Sequence, residues 1–268
     1  MGRFNLSLDT MSKPTIMIQA RLGSSRLPKK TIAKIQGKPV IWHVINRVKK
    51  IKNIKQIVLI TTTGESDKIL LDIAKQQNVF GFAGSENDVL KRHYDCAVKF
   101  NADPIIRITG DCPLIDPKLS SDILQFYLDN NFDYVSNTIN PTFPDGLDTE
   151  IFSFSALEKA YLQSKLPSER EHVTTYFTKN IKKFKLYNYS NAVNLSTFRW
   201  TIDRVEDLKF IRKIYHYAKP RSTFSMKTVL KILQSHPALS KINTHILRNE
   251  GHASSLRKDK SFLNNLAN

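Results

Sequence analysis

The segment "TIMIQARLGSSRLPKK" (15–30) joins a short apolar strand to a loop rich in cations and hydroxyls. Residues 15–19 are β-branched or apolar, which favours a buried strand. The loop contains one glycine, Gly23, and these polar residues: Arg21, Ser24, Ser25, Arg26, Lys29 and Lys30. It matches neither the GxxxxGK[ST] nor the GxGxxG pattern of phosphate-binding loops. A loop of this composition is either a solvated turn or a cradle for a polyanion.

Apolar, β-branched runs alternate with segments of helical period along the chain. The runs predicted to be strands are 15–19, 56–62, 79–83, 104–109, 133–137 and 198–202. The predicted helices are 39–51, 67–77, 87–100, 117–130, 153–164, 168–180 and 205–218. Helix caps are expected at Asn87 or Asp88, at Ser155 with Glu158, and at Ser168 with Glu171. This order predicts an α/β fold with three layers around a mainly parallel, mixed sheet.

Charge and hydropathy restrict the class of protein. The 268 residues include 41 Lys and Arg against 24 Asp and Glu, for a formal net charge of +17. Such a chain suits anionic partners, but its lysines are dispersed and no nucleic-acid-binding motif is recognisable, so nucleic acid is not the expected partner. No apolar run is long enough for a membrane span and no signal peptide is evident, which predicts a cytoplasmic protein without membrane contact. Cys96 and Cys112 are read as ordinary core residues.

We expect one domain between two peripheral segments. Residues 1–12 are predicted to be a disordered leader, and residues 251–268 a polar, loosely held C-terminal tail. The domain is predicted to span residues 13–250.

Asp111 and Asp203 each follow a predicted strand, after 104–109 and 198–202. Ligands of open α/β sheets bind beyond the carboxyl ends of the strands, so these two carboxylates could converge on one metal ion. Mg²⁺ needs only one or two carboxylates when substrate phosphates complete its shell. Each aspartate taken alone is also a common helix cap.

"QARLGSSRLPKK" (19–30) resembles the signature (P/Q)AR-x-x-S-x-R-L-P-x-K of the CMP-sugar synthetases. Further blocks are similar, in the same order, to the branch of this family that resembles the spore-coat polysaccharide cytidylyltransferases. These blocks are "GSENDVLKRHYDCA" (84–97), "RITGDCPLID" (107–116), "DYVSNT" (133–138), "PDGLDTEIFS" (144–153), "LPSEREHVT" (166–174) and "RWTIDRVEDLKFIRKIY" (199–215). Together they cover roughly residues 14–218.

The resemblance implies a nucleotidyltransferase fold related to the glycosyltransferase-A type. It also implies Mg²⁺-dependent transfer of CMP from CTP to an acidic sugar of the nonulosonic or octulosonic type, with release of pyrophosphate, for surface glycan biosynthesis by a homodimer. The implied catalytic residues are Arg21, Lys30, Asp111 and Asp203, of which Asp111 and Asp203 would bind Mg²⁺. The implied nucleotide-binding residues are Ala20, Arg21, Ser24, Ser25, Arg26, Lys30, Gly84, Ser85 and Thr109.

The acceptor end is expected among hydroxyls, carboxylates and two cationic side chains. The candidates are Asn137, Asp145, Asp148, Glu150, Arg170 and His172. A sugar carboxylate would need a cation such as Arg170. His172 on a helix could equally be a packing or surface residue.

Two positions depart from the family pattern. Lys29 stands where relatives usually have glycine, which removes conformational freedom and adds charge. Arg204 follows Asp203 where relatives have "DTPEDL". Two alternatives remain open: a glycosyltransferase on the same fold, although its usual D-x-D pair is absent from "ITGDCPLID" (108–116), and a nucleic-acid-binding or scaffold protein that uses the positive charge.

Overall fold

The computed structural model describes residues 14–218, 224–248 and 250–267. The predicted leader, residues 1–12, lies outside the described residues. The strands are β1 (Thr15–Gln19), β2 (Lys34–Ile35), β3 (Lys38–Pro39), β4 (Gln56–Thr62), β5 (Phe80–Gly84), β6 (Ile105–Thr109), β7 (Tyr134–Ser136), β8 (Glu150–Phe152) and β9 (Leu186–Asn188). Except for the β2–β3 ribbon, they form one sheet in the order β5-β4-β1-β6-β8-β7-β9.

The α-helices pack on both faces of this sheet, and two of them belong to a further cluster around Trp200. They are α1 (Val40–Val48), α2 (Lys68–Gln76), α3 (Val89–Phe100), α4 (Pro117–Leu128), α5 (Phe154–Gln163), α6 (Pro167–Glu171), α7 (Thr175–Lys179), α8 (Val205–Ala218), α9 (Met226–Ser235) and α10 (Glu250–Ala267). Short 3-10 helices occupy Lys30–Ile32, Glu65–Asp67, Ile181–Lys183 and Pro237–Ile242. Among the described residues, no helix has both the length and the apolar character needed to cross a membrane.

Strand β1 sits at the centre of the parallel part of the sheet, where it pairs with β4 on one side and β6 on the other. Its residues 15–18 are buried on both faces, which explains why the strand is continuously apolar. The chain passes from β1 to β4 and β5 on one side and returns to β6 on the other. Such a reversal of strand order opens a crevice at the carboxyl ends of β1 and β6.

Hydrophobic side chains cover both faces of the sheet. Ile16 and Ile18 belong to a cluster with α1, α2 and α4, whereas Met17 belongs to a cluster with α3, α5 and α7. A third cluster, around Trp200, joins α8 and α9 to the rest of the molecule. The predicted α/β fold with three layers and a mainly parallel, mixed sheet is therefore confirmed. Cys96 and Cys112 are free and buried, as expected of core residues.

Several predicted elements differ from the observed ones. The strand predicted at 198–202 is wrong, because among the described residues this segment makes a single isolated bridge, between Arg199 and Asp145. The helix predicted at 168–180 is divided into α6 and α7. The segment expected to be a loose tail contains α10, which packs on α6.

The observed caps also shift by a few residues. Asp88 caps α3 by accepting from Lys91 N, whereas Ser153 rather than Ser155 caps α5. Before α6, the Glu169 carboxylate accepts from Lys165 N and Leu166 N, and the box predicted at Ser168 does not form.

Candidate active site

The loop after β1 is folded back by hydrogen bonds among its own residues and by one that it donates to the buried Asp67 carboxylate. Leu22 N donates to Asp67 Oδ1 at 2.8 Å, and Lys29 N donates to Leu22 O at 3.1 Å. Thr31 Oγ1 donates to Arg21 O at 2.7 Å. These bonds bring Lys30, at the end of the loop, back towards the carboxyl end of β1.

Asp111 and Asp203 are distant in sequence but adjacent in space. Asp111 follows β6 directly after Gly110, where a Cβ would lie 2.9 Å from the Ala20 Cβ, so only glycine fits against the end of β1. Asp203 precedes α8, and the neighbouring Ile202 N donates to Asp111 O at 3.0 Å. The two segments therefore run side by side into the same crevice.

Lys30 links the two carboxylates. Its Nζ lies 2.6 Å from Asp111 Oδ2 and 2.6 Å from Asp203 Oδ1. Burial alone would lower the pKa of the Lys30 ammonium, but the attraction of Asp111 and Asp203 outweighs it and raises that pKa above its ordinary value. Burial works against ionised Asp203, yet Lys30 and Arg26, whose Nη2 is 2.9 Å from Asp203 Oδ1, lower the pKa of Asp203 to about 2. Asp203 is thus ionised at neutral pH.

The buried Arg199 side chain holds Asp203 in place through a network of ion pairs. Its guanidinium pairs with Asp203 Oδ2 at 3.1 Å, Asp145 Oδ2 at 2.9 Å and Asp207 Oδ1 at 3.0 Å. The fully buried Asp207 also accepts from Asp203 N and Arg204 N at 2.9 Å each, which fixes the start of α8. The Asp203 side chain is therefore held from two directions.

A cavity of about 520 Å³ opens beside these residues. The predicted site residues that line it are Ala20, Arg21, Ser24, Ser25, Arg26, Lys30, Thr109, Asp111, His172 and Asp203. The cationic loop and both aspartates thus face one another across a single space, as the sequence predicts.

The other predicted site residues do not line this cavity in the described structure. They are Gly84, Ser85, Asn137, Asp145, Asp148, Glu150 and Arg170. Gly84 packs against the stem of Arg92, while Ser85 Oγ accepts from Asp88 N. Asn137 is buried and bridges the backbone of Leu147 and Thr149.

The predicted acceptor carboxylates are engaged with neighbouring cations. Asp148 pairs with Arg248 at 2.9 Å, and burial raises the pKa of Asp148 to about 7 despite this cation. Glu150 pairs with Arg107 and accepts from Tyr134 and Thr174 hydroxyls. Both carboxylates are thus paired with cations of the protein in the described structure.

Arg170, the predicted cation for a sugar carboxylate, is also engaged. It donates to Ser164 O at 2.9 Å, pairs with Asp88 at 3.4 Å and lies over the Tyr161 ring. The side chain therefore joins α6 to the ends of α3 and α5 and does not line the cavity in the described structure.

The sequence alone did not assign a role in the site to several side chains that line the cavity. They are Gln19, Val89, Arg92, Arg107, Glu171, Ser255 and Lys258. Arg92 is 1% exposed, and its Nε and Nη1 lack a hydrogen-bond partner in the described structure. Burial and the neighbouring Arg21 lower the pKa of Arg92 to about 10. Arg92 lies on α3, four residues after Asp88, and no sequence pattern at this position indicated that it would line the site.

Residues 15–240 match the family model described as "Cytidylyltransferase". The chain belongs to the cytidylyltransferase family. It is therefore a nucleotidyltransferase enzyme.

Individual relatives agree with this assignment. The structure resembles that of a cytidylyltransferase from Leptospira borgpetersenii with a TM-score of 0.83 and 35% identity, over 86% of this chain and 97% of that one. The spore coat polysaccharide biosynthesis protein SpsF of Bacillus subtilis is 28% identical over 85% of this chain and 96% of its own length. The 3-deoxy-manno-octulosonate cytidylyltransferase of Lawsonia intracellularis is 30% identical over 42% of this chain and 45% of its own.

Proposed function

We propose that this cytidylyltransferase transfers CMP from CTP to an acidic sugar and releases pyrophosphate, in the synthesis of a surface polysaccharide. One observation carries the proposal: the Lys30 ammonium lies 2.6 Å from both Asp111 and Asp203, in the cavity lined by the cationic loop. Such a pair of carboxylates beside a cluster of cations suits a nucleoside triphosphate and its counter-ion. The names of the relatives support a sugar acid as acceptor.

The chemistry requires alignment and charge neutralisation more than covalent help from the protein. An acceptor hydroxyl forms the new O–P bond at the α-phosphorus and gives up its proton to water, while the bond from the α-phosphorus to the oxygen bridging to the β-phosphate breaks. Pyrophosphate leaves with that oxygen. Arg21, Arg26 and Lys30 would neutralise the departing pyrophosphate, while the Ser24 and Ser25 hydroxyls would donate to phosphate oxygens.

Asp111 and Asp203 fit a site for Mg²⁺. Both carboxylates converge on one point, now held by Lys30 Nζ, and the low pKa of Asp203 keeps this residue ionised. Two carboxylates are a sufficient protein contribution when phosphates and water complete the shell. When bound, the ion would polarise the α-phosphate. With the carboxylates neutralised, Lys30 could donate to phosphate oxygens instead.

Binding of CTP and the role of Asp111 test the proposal together. In the presence of Mg²⁺, we expect CTP to raise the melting temperature more than ATP, GTP or UTP do. We also expect Asp111→Asn to abolish pyrophosphate release from CTP with 3-deoxy-manno-octulosonate or N-acetylneuraminate as acceptor. Asp122→Asn, which removes an exposed partner of Lys118, is the control and should remain active.

Equal melting shifts for all four triphosphates would show that the site binds polyanions in general and does not select CTP. Full turnover by Asp111→Asn would remove this carboxylate from the mechanism.

A further inference from the structure

We propose that Lys258, on the C-terminal helix α10, binds the anionic group of the acceptor and so contributes to acceptor specificity. This inference rests on the proposed function, because it concerns the acceptor end of the same cavity. It also assigns a role to a helix that lies beyond residue 240, where the match to the family ends.

A buried carboxylate anchors α10 to the domain. Asp259 is 5% exposed and accepts from Ser168 N at 2.8 Å and from Ser168 Oγ at 2.6 Å. Lys179 Nζ lies 2.9 Å from the same carboxylate. Burial would raise the pKa of Asp259, but these donors lower it, so the anchor is ionised at neutral pH. The helix is therefore fixed over α6 and α7 by a specific contact.

This anchor places the preceding turn of α10, which carries Ser255 and Lys258, at the cavity. Ser255 is 1% exposed, donates to Glu171 Oε2 at 2.8 Å and lies 2.9 Å from His172 Nε2. Ser255 and Lys258 both line the cavity, together with Glu171 and His172. The helix thus forms part of the wall of the same space that holds Lys30 and the two aspartates.

Lys258 can exchange its present partner for a ligand. Its Nζ lies 3.2 Å from Glu171 Oε2, and its side chain is 60% exposed. Exposed pairs of this kind contribute little to stability, so an anionic ligand can compete with Glu171 at small cost. Glu171 keeps its hydrogen bond from Ser255 when Lys258 turns to the ligand.

Several other cations near the cavity are already engaged with groups of the protein. Arg170 is occupied by Ser164 O, Asp88 and the Tyr161 ring. Arg107 is paired with Glu150. Arg26 and Lys30 of the loop are paired with Asp203, and Lys30 also with Asp111, where phosphates are expected. On the α10 side of the cavity, Lys258 is therefore a cation that is both weakly paired and exposed, whereas Arg92, which also lines the cavity, is buried.

Acceptor affinity in full-length variants tests the role. We expect Lys258→Met to raise the Kd and KM of the acidic sugar about tenfold or more, because a hydrogen bond between charged groups is lost, while the KM for CTP and its melting shift stay unchanged. The probes are 3-deoxy-manno-octulosonate and N-acetylneuraminate, measured by calorimetry and by pyrophosphate release. Lys258→Arg should restore most of the affinity.

Two further variants separate binding from a structural role. Lys260→Met removes an exposed lysine of the same helix and should change neither KM. Asp259→Asn loosens the anchor, so it should weaken acceptor binding as Lys258→Met does, and leave the CTP-induced melting shift intact. Equal acceptor affinity in wild type and Lys258→Met would overturn the role of Lys258 alone. Failure of the wild-type protein to bind either sugar would overturn the acidic acceptor as well.

Discussion

Lys30 is the residue on which the candidate site depends. Two carboxylates that share one ammonium would repel each other strongly in its absence, because all three groups are largely shielded from water. Arg26 and Arg199 add further positive charge around Asp203. The site is thus built to keep Asp203 ionised before any phosphate or metal ion arrives.

Lys29 shows the cost of one departure from the family pattern. Its φ is 58°, in the left-handed region, where an L-residue costs about 1–2 kcal/mol. The position therefore has the backbone conformation that glycine adopts freely. Hydrogen bonds from Lys29 N to Leu22 O and from Ile32 N to Lys29 O hold the loop in this shape. Arg204, the second departure, is exposed and lies outside the cavity wall.

Arg92 gives a prediction at the scale of one residue. Its guanidinium is buried at the cavity wall without a hydrogen-bond partner for Nε or Nη1 in the described structure. An unsatisfied buried polar group costs about 1–3 kcal/mol. We therefore expect Arg92→Met to raise the free energy of unfolding of the ligand-free protein by about 1 kcal/mol and to reduce the CTP-induced melting shift. Urea unfolding and thermal melts measure the two effects.

Arg92→Lys is the matched control, because it keeps the buried charge and so should not stabilise the ligand-free protein. A marked loss of stability in Arg92→Met would contradict the prediction and assign Arg92 to the packing of α3.

Residue patterns predicted the parts of the site that lie directly after strands. Arg21, Lys30 and Asp111 follow β1 or β6, so the order of the strands already places them at one edge. The sequence did not predict Arg92 and Lys258 as site residues, because both lie on helices, where a polar residue normally faces water. Only the packing of α3 and α10 against the cavity identifies them.

At the scale of elements, one turn positions the segment that carries Arg199 and Asp203. Asp145 N donates to Phe198 O at 2.9 Å, and Trp200 N donates to Asp145 O at 2.6 Å. Gly146 follows with a φ of 101°, and a Cβ there would lie 2.6 Å from Thr201 N. The turn and the segment therefore touch so closely that no side chain fits between them.

We expect Gly146→Ala to lower the free energy of unfolding by about 2–4 kcal/mol, because it combines backbone strain with a clash against Thr201 N. It should also reduce turnover more than the stability loss explains, since Arg199 and Asp203 must move. Gly23→Ala is the control: among the described residues, a Cβ there has no heavy atom within 4 Å, so stability should change little. Urea unfolding checks both variants, and a wild-type midpoint for Gly146→Ala would contradict the contact.

The length and burial of each strand explain which strands the sequence could predict. Strands β1 and β4 have the predicted bounds, because long apolar runs buried on both faces leave a clear pattern. Strands β8 and β9 have three residues each, too few for a periodic signal. Residues 198–202 are apolar and extended, as a strand would be, but pack against a turn rather than along a neighbouring strand.

At the scale of the whole molecule, the cationic side chains fall into two groups. Arg26, Lys30 and Arg199 are paired with the aspartates of the site. Many other lysines lie on exposed helix faces and turns, among them Lys50, Lys52 and Lys118, as the sequence predicts. Charges dispersed in this way raise the local concentration of anions and speed their association without selecting among them.

Salt dependence separates these two contributions. We expect a labelled oligothymidylate to bind only at low ionic strength and to be released between about 50 and 200 mM salt, since contacts to phosphates alone are lost steeply with salt. CTP with Mg²⁺ should lose less affinity over this range, because partly buried ion pairs are screened less than exposed ones. Fluorescence anisotropy for the oligonucleotide and calorimetry for CTP provide the comparison. A different result would be oligothymidylate binding that persists at 200 mM salt with the same affinity in Asp111→Asn. It would indicate a dedicated nucleic-acid surface, and the charge of +17 would then have a function separate from the cavity.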